Sequence, residues 1–316
     1  MKDAARGHGS ASGSAIRDLV TRQGEGDRRS ARESAQNLVR ATGGGLLIGL
    51  PLLFTQEVWY HGFVLHPLKI LFLLSVAFVV VVGYNLTSGF REDSSFFEVL
   101  VDSVEAMGLG ILVALVALVL LGRLELDMSL REVVGKVSLE AIPIAFGASL
   151  ARTQLASGED SPEDDQARSI GPFGRLFVAA GGALLFSLNV APTEEPVMLG
   201  IEADWWLLLA VMVASIVLTF GLVFYADFQG SRPARPGDSP MEHPVSETLA
   251  AYAISLGVSL LLFWSFDRTE GTGLRALLGM TVMLGFVASL GAAVGRLLVG
   301  GGEAGAPQEE GAEGTP

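Results

Sequence analysis

The stretch that decides the fold is GGALLFSLNVAPTEE, residues 181–195, an apolar run that ends in polar and acidic residues. A second stretch of almost the same design, GGGLLIGLPLLFTQE, occupies residues 43–57. An offset of 138 residues superimposes the two, so that Gly43 falls on Gly181. Each stretch begins like a membrane-spanning helix, which needs about 20 apolar residues, and turns polar where that helix should finish. The match between the two stretches has three explanations: a duplicated architecture, a functional site or chance.

Composition indicates that the chain belongs in a membrane. Of its 316 residues, 50% are hydrophobic and 17% are charged, which leaves too little polar surface for a water-soluble protein. The formal net charge of −13 argues against nucleic acid as a partner, because no basic face is available to meet phosphates. The chain has no cysteine, which excludes disulfides and thiolate metal sites. We therefore expect a polytopic membrane protein whose main partner is the lipid bilayer.

The apolar runs predict an all-α membrane protein with eight transmembrane helices. These spans are expected at about residues 42–60, 67–87, 97–121, 130–152, 173–191, 204–226, 245–265 and 274–298. They form two four-helix groups, at 42–155 and 173–299, with a cytoplasmic linker at 156–172 between them. A basic, partly disordered cytoplasmic tail is expected at 1–41 and a disordered tail at 300–316.

The distribution of charge predicts which way the chain faces. With eight spans, 15 Lys and Arg residues fall on the side of the termini and only 5 on the other side. Cytoplasmic segments carry the excess of Lys and Arg, so both termini are expected in the cytoplasm. The tryptophans then all fall at the outer interface, where indole rings prefer to lie: Trp59, Trp205, Trp206 and Trp264.

A second correspondence supports an internal duplication. Spans 4 and 8 align without a gap at an offset of 144 residues, which superimposes Arg131 on Arg275 and Gly135 on Gly279. A unit with an even number of spans returns the chain to its starting side. The two four-helix repeats are therefore expected to be parallel, that is, to have the same orientation in the membrane. The alternative is that short matches arise easily among apolar helices, whose small residues pack closely.

Polar residues at the two matching helix ends form the first candidate site. Pro51 and Pro192 each remove a backbone donor, which leaves carbonyl oxygens free nearby. Carbonyls, hydroxyls and carboxylates together suit cations such as H⁺, Na⁺, Ca²⁺ or Mg²⁺. The predicted outer site consists of Thr55, Glu57, Asn189, Thr193, Glu194 and Glu195. The alternative is that these carboxylates lie in water beyond the helix ends.

Two glutamates near the cytoplasmic end form the second candidate. Glu105 and Glu247 lie at equivalent depths in spans 3 and 7. A charged group at the centre of a span costs roughly 2.5–3.5 kcal/mol on insertion scales, so each one needs a reason. We predict that both glutamates line the inner route of a cation. For Glu98 and Asp102, which are closer to the helix start, complementing the helix dipole is the simpler explanation.

Span 4 carries the third candidate, Lys136 and Glu140, which lie one helical turn apart. An ion pair within the helix would lower the cost of both charges near the midplane, and we favour this interpretation. The alternative is a proton-linked carboxylate in one half only, because Glu140 falls on Leu284 at the offset of 144.

Several segments carry a resemblance to a known family: GGGLLIGLPLLFTQEVW, FGASLAR, SLNVAPTEEPVM and YAISLGVSLLLFW. They resemble a family of bacterial integral membrane proteins classified as a domain of unknown function. The resemblance covers most of residues 40–298, and APTEEP is its most specific part. It implies a multi-pass protein of the bacterial inner (plasma) membrane and supplies no mechanism.

These patterns predict a cation transporter or channel with an acidic outer site at the interface of the two repeats. The transported partner would be H⁺, Na⁺, Ca²⁺ or Mg²⁺, and the sequence does not identify a metal. The four histidines are scattered and no nucleophile lies beside a base, so we expect neither enzymatic activity nor a cofactor. The competing hypothesis is a non-transporting membrane scaffold or sensor that acts through its cytoplasmic tail.

Overall fold

A computed structural model describes residues 35–87, 96–156, 172–228 and 244–300, and within these ranges the chain is helical and has no strand. The predicted tails before residue 35 and after residue 300, and most of the predicted linker, lie outside the described residues. The helices of the first half are α1 (Ala35–Leu53), α2 (Gln56–Val64), α3 (Pro67–Thr87), α4 (Phe96–Leu120) and α5 (Leu130–Ala156). Those of the second half are α6 (Pro172–Leu188), α7 (Glu195–Glu202), α8 (Trp205–Phe228), α9 (Pro244–Ser265) and α10 (Leu274–Gly300).

Six of the helices are long and apolar enough to cross a membrane: α3, α4, α5, α8, α9 and α10. Their bounds agree with the predicted spans to within a few residues, apart from the inner end of α5. The pair α1 and α2 is bent by 83°, and counting it as one span would raise the number to seven. Helix α6 is apolar but shorter. The all-helical membrane class is therefore confirmed.

The first and fifth predicted spans have different bounds in the structure. Helix α1 begins seven residues earlier than the prediction at residue 42, ends at Leu53, and is followed by a separate short helix instead of continuing to residue 60. Pro51 has no N–H to continue the helix ladder, and the Thr55 hydroxyl donates to the Pro51 carbonyl at 2.6 Å, which competes with helical pairing. Helix α6 likewise ends at Leu188, and α7 follows it. Neither α2 nor α7 was predicted.

The same turn ends α4 and α9, the helices before the last one of each half. The Arg123 N–H donates to the Leu118 carbonyl at 2.8 Å, and the Arg268 N–H donates to the Phe263 carbonyl at 2.8 Å. The residue before each arginine has a positive φ, 64° at Gly122 and 61° at Asp267. This six-residue closure is the Schellman motif, which satisfies the last carbonyls of a helix.

The last helix of each half is its packing centre. In the first half, α5 contacts α2, α3 and α4, and Gly147 of α5 packs against Gly44 of α1. In the second half, α10 contacts α6, α7, α8 and α9. The halves meet where α3 contacts α6 and α9, and where α5 contacts α6. Helix α5 is the most enclosed of the six spans, with 83% of its apolar window buried against 56% for α10.

Within each half, close glycine contacts join the last helix to other helices at equivalent positions. A Cβ on Gly147 would lie 2.6 Å from the Gly44 carbonyl oxygen, and a Cβ on Gly291 would overlap the Gly182 carbonyl oxygen. The second pair of contacts follows the same plan: Gly135 packs on the Gly62 carbonyl, and Gly279 packs on the Gly200 carbonyl. Only a residue without a side chain permits such an approach of two helix backbones.

Candidate functional site

The hydroxyl and amide groups of the predicted outer site are engaged by their own helix ends. The Thr55 hydroxyl bonds to Pro51, the Thr193 hydroxyl donates to the Val190 carbonyl at 2.8 Å, and the Asn189 amide donates to the Leu185 carbonyl at 2.8 Å. These bonds compensate for the backbone pairing that is lost where α1 and α6 stop. They account for the two hydroxyl groups and the amide N–H, while the Asn189 side-chain oxygen is buried without a partner among the described residues.

The carboxylates of the predicted outer site have separate surroundings. Glu194 forms an ion pair with Arg268 at 2.7 Å, so its charge is already neutralised. Glu195 is exposed, and the polar surroundings of its carboxylate, first the Thr193 side chain and then its own backbone N–H, hold the pKa of the carboxyl below the ordinary value. Glu57 is half-buried on α2. Within the described residues, no group of three or more His, Cys, Asp or Glu side chains could hold a metal ion.

The outer ends of the two halves are nevertheless joined, by residues that sequence reasoning did not select. The Pro192 carbonyl accepts a hydrogen bond from Arg268 at 3.0 Å, and His61 Nε2 of α2 lies 3.3 Å from the same oxygen. Lys69 at the start of α3 donates to the Trp264 carbonyl at 2.9 Å and forms an ion pair with Asp267. The partners that join the two halves lie 131 to 198 residues apart in sequence, and Arg268 and Pro192 lie 76 residues apart, so no local pattern could have revealed them.

Both predicted inner residues form ion pairs with arginines. Glu105 of α4 pairs with Arg152 of α5 at 3.0 Å. Glu247 of α9 pairs with Arg296 of α10 at 3.0 Å and with Arg175 of α6 at 2.8 Å. The first two pairs join equivalent helices of the two halves. The ion pairs stabilise the packing of the last helix at its inner end, and they account for these carboxylates without a transported ion.

The predicted ion pair between Lys136 and Glu140 is not formed. Lys136 pairs instead with Glu132, one turn earlier on α5, at 2.7 Å. Side chains on a helix tilt towards its N-terminus, which brings the Lys136 ammonium group to Glu132, a residue that is half-buried whereas Glu140 is fully buried. The ammonium group also donates to the Arg123 carbonyl at 3.4 Å. Glu140 is therefore left without a cationic partner.

Glu140 is the most unusual ionisable group in the described part of the chain. Its side chain has 0% exposure, and neither carboxyl oxygen has a hydrogen-bond partner among the described residues. The Trp59 indole faces the carboxyl, but its N–H does not reach hydrogen-bond geometry and is also unpartnered. Glu140 follows the outer end of α5 at Leu130 by ten residues, about 15 Å of helix, which is half of a hydrocarbon core about 30 Å thick.

The carboxyl of Glu140 lies beneath the α1–α2 elbow, the break at residues 54–55. One turn towards the outer end of α5, Lys136 packs against Gly62 of α2. One turn towards the inner end, Ile144 packs against Gly49 of α1. Residues four apart share a helix face, so Glu140 is placed between these contacts, where the backbone changes direction. The sequence indicated this residue through its charge in a span, and it could not indicate the elbow above it.

The second half has no equivalent of this site. Leu284 occupies the position of Glu140 at the offset of 144 residues and is fully buried, and Met280 occupies the position of Lys136. Val197 of α7 stands where α2 has Trp59, at the offset of 138 residues. The site is therefore confined to one half of an otherwise matching arrangement.

Comparison with protein families assigns the chain to a class. The model of the family "Putative integral membrane protein (DUF2391)" matches residues 37–299, nearly the whole described region. The chain belongs to this family. It is accordingly an integral, multi-pass membrane protein, in agreement with the helices long enough to cross a bilayer. No curated protein and no solved structure matches the chain. The DUF2391 family description gives no activity, so a function has to be argued from Glu140 and its surroundings.

Proposed function

We propose that the protein is a cation transporter of the bacterial inner membrane, built from two parallel four-helix repeats with both termini in the cytoplasm. Eight spans follow if α1 and α6 each cross the membrane and the short helices α2 and α7 lie near the outer surface. Helix α6 has 17 residues, about 25 Å of helix, which a tilted or locally thinned bilayer accommodates.

Equivalent contacts in the two halves support the repeat. The pairs Gly44–Gly147 and Gly182–Gly291 join the first and last helices of each half, and they are related by the offsets of 138 and 144 residues seen in the sequence. The ion pairs of Glu105 and Glu247 with the last helix and the Schellman turns follow the same correspondence. A chance match of apolar sequence would not generate matching tertiary contacts.

The observation that supports transport is the unpartnered carboxyl of Glu140. A carboxyl group in the middle of a span is unfavourable by roughly 2.5–3.5 kcal/mol on insertion scales, and among the described residues no cation pairs with Glu140. A structural role is therefore a poor explanation, whereas binding a cation in the membrane requires such a group. The outer carboxylates, which are exposed or paired with arginine, are assigned to the protein surface and not to the binding site.

The second candidate function is a non-transporting membrane scaffold. It is favoured by one observation: the seam between the halves contains a cavity of about 330 Å³ with an apolar lining. The lining residues are Val76, Val80, Ala180, Leu184, Ile254, Gly257, Val258 and Leu261. An apolar seam between α3, α6 and α9 suits helix packing or lipid and does not suit a cation route. Transport therefore depends on a route within the first half.

A flux assay in liposomes distinguishes the two functions. Purified protein is reconstituted, and the influx of H⁺, Na⁺, K⁺, Ca²⁺ and Mg²⁺ is followed with ion-sensitive dyes. We expect flux of one cation that falls by about tenfold or more in Glu140→Gln, a change that keeps the side-chain volume and removes the charge. The matched control is Glu195→Gln, which should retain the flux. No flux of any of the five ions would favour the scaffold, and loss in the control alone would return the site to the outer carboxylates.

A further inference from the structure

We infer that Glu140 is a proton-binding site that exchanges with the outer side beneath α2, so that the proton is the cation of the proposed transport. The inference rests on the proposed function for its transport claim, while the binding claim stands on the geometry of Glu140 alone. The step is a simple protonation: a proton arriving from water forms the O–H bond of the acid, and the reverse step returns it to water.

The ligands available at Glu140 suit a proton and no metal ion. Ca²⁺ takes about six to eight oxygen ligands and Mg²⁺ about six, several of which are water. Glu140 offers one carboxyl in a site with 0% exposure, and the polar group that faces it is the N–H of Trp59, which is a donor. A donor would repel a metal cation. A proton needs a single oxygen, and the neutral acid is the form that a dry interior favours.

The charged side chains on the elements around Glu140 are directed elsewhere. On α5, Lys136 and Glu132 pair with each other. In the α4–α5 turn, the Arg123 guanidinium stacks over the Trp59 ring at 4.7 Å from its centroid. On α2, His61 contacts the Pro192 carbonyl, and Glu57 is half-buried near the helix start. The protonation of Glu140 is therefore governed by its access to water and not by a neighbouring counter-ion.

Helix α2 is the element that separates Glu140 from the outer side. Its Trp59 faces the carboxyl, and its start at Gln56 follows the 83° elbow, a break where the backbone can change direction. The end of α2 is attached to α5 by one long hydrogen bond, from Arg131 to the Leu65 carbonyl at 3.5 Å. A small rotation of α2 about the elbow would lift Trp59 and admit water to Glu140.

The equivalent helix of the second half has a stronger attachment. Arg275 donates to the Gly200 carbonyl at 3.3 Å, to the Ile201 carbonyl at 3.2 Å, and to the Ala203 carbonyl at the end of α7. Its guanidinium also lies 5.4 Å from the centroid of the Trp205 ring. The C-terminal end of α7 is thus joined to α10 by three hydrogen bonds, whereas among the described residues the end of α2 is joined to α5 by the single hydrogen bond from Arg131. The difference favours a mobile cover in the half that has the carboxyl.

The fluorescence of Trp59 tests the binding claim without any flux measurement. Replacing Trp205, Trp206 and Trp264 by Phe in the full-length protein leaves Trp59 as the reporter. We expect its emission to change with pH through one transition in reconstituted protein, because the facing carboxyl gains or loses its charge. The transition should disappear in Glu140→Gln and persist in Glu195→Gln. An emission that does not depend on pH, or a transition that persists in Glu140→Gln, would overturn the inference.

A second measurement avoids the three tryptophan replacements, which could disturb folding. It also distinguishes the proton-binding proposal from the transport proposal. Infrared difference spectra of the protein with its natural tryptophans should contain a protonated-carboxyl C=O band that is lost in Glu140→Gln. If the pH transition of Trp59 and the C=O band are both observed but no ion is transported, the transport proposal is refuted and the proton-binding proposal is retained. Flux of a metal ion that requires Glu140, without a titration, would refute the proton site and leave transport standing.

Discussion

The two halves of the molecule share a helix plan and differ at one central position. Both use glycine contacts to join their first and last helices, and both pair a glutamate with an arginine at the inner end of the last helix. Under its short helix, the first half buries Glu140 and the second half buries Leu284. The residues that determine helix packing are therefore different from the residue that gives one half a chemical group. The glycines determine the scaffold in both halves, and one carboxyl with its indole distinguishes the half that we propose to be active.

The largest effect should come from the contacts that the halves share. Gly147→Val and Gly291→Val each place a branched side chain against the backbone of the facing helix. Overpacking of this kind typically destabilises by about 1–3 kcal/mol and occasionally by more. We expect the upper end of this range in both variants, measured by thermal unfolding in detergent. Gly257, whose added Cβ would meet no atom within 4 Å, provides the control Gly257→Ala. A large loss in only one half would contradict the equivalence of the two interfaces.

An exchange of the central residues should have opposite effects in the two halves. Glu140→Leu removes an unpartnered buried carboxyl, whose cost is about 1–3 kcal/mol, so the variant should be more stable than the natural protein by up to that amount. It should also lose proton flux. Leu284→Glu introduces a carboxyl into a fully buried apolar site and should destabilise by roughly 2.5–3.5 kcal/mol.

Thermal unfolding and proton flux of both variants check this prediction. A Glu140→Leu protein that is less stable and still transports would show that the carboxyl has a structural partner and no role in transport. Equal destabilisation by both exchanges would remove the distinction between the halves.

Much of the fold could be predicted from the sequence because membrane helices depend on simple quantities. Apolar length located the spans now seen as α3, α4, α8 and α9. The 83° elbow between α1 and α2 could not be predicted from the sequence, because Pro51 alone does not determine where a helix ends. Its position depends on the packing of α2 against Gly135, a contact between residues far apart in sequence.

The candidate site shows the same limit. Charge inside a span indicated Lys136 and Glu140 together, and helical spacing suggested that they pair. The same spacing also allowed Lys136 to reach Glu132, which lies one turn nearer the start of α5 and is only half-buried. The surroundings of Glu194 could not be predicted either, because its partner, Arg268, lies 74 residues away in sequence. The sequence identifies a residue whose charge is unfavourable inside a span. Tertiary contacts determine whether a partner compensates for that charge.

The smallest and most specific effect concerns the two short helices. Amide hydrogen exchange of the reconstituted protein should be faster in α2, residues 56–64, than in α7, residues 195–202, because one described hydrogen bond of 3.5 Å joins the end of α2 to α5 and three join the end of α7 to α10. Arg275→Gln should bring α7 to the exchange rate of α2. It should lower stability by about 1–2 kcal/mol, since hydrogen bonds from a charged group are the stronger kind. Proton flux should be unchanged, because α7 covers a leucine.

In Arg131→Gln, α2 should exchange faster still and proton flux should rise by a small factor, while stability changes little. Equal exchange in α2 and α7 of the natural protein would mean that the elbow is rigid and that Glu140 reaches water by another route.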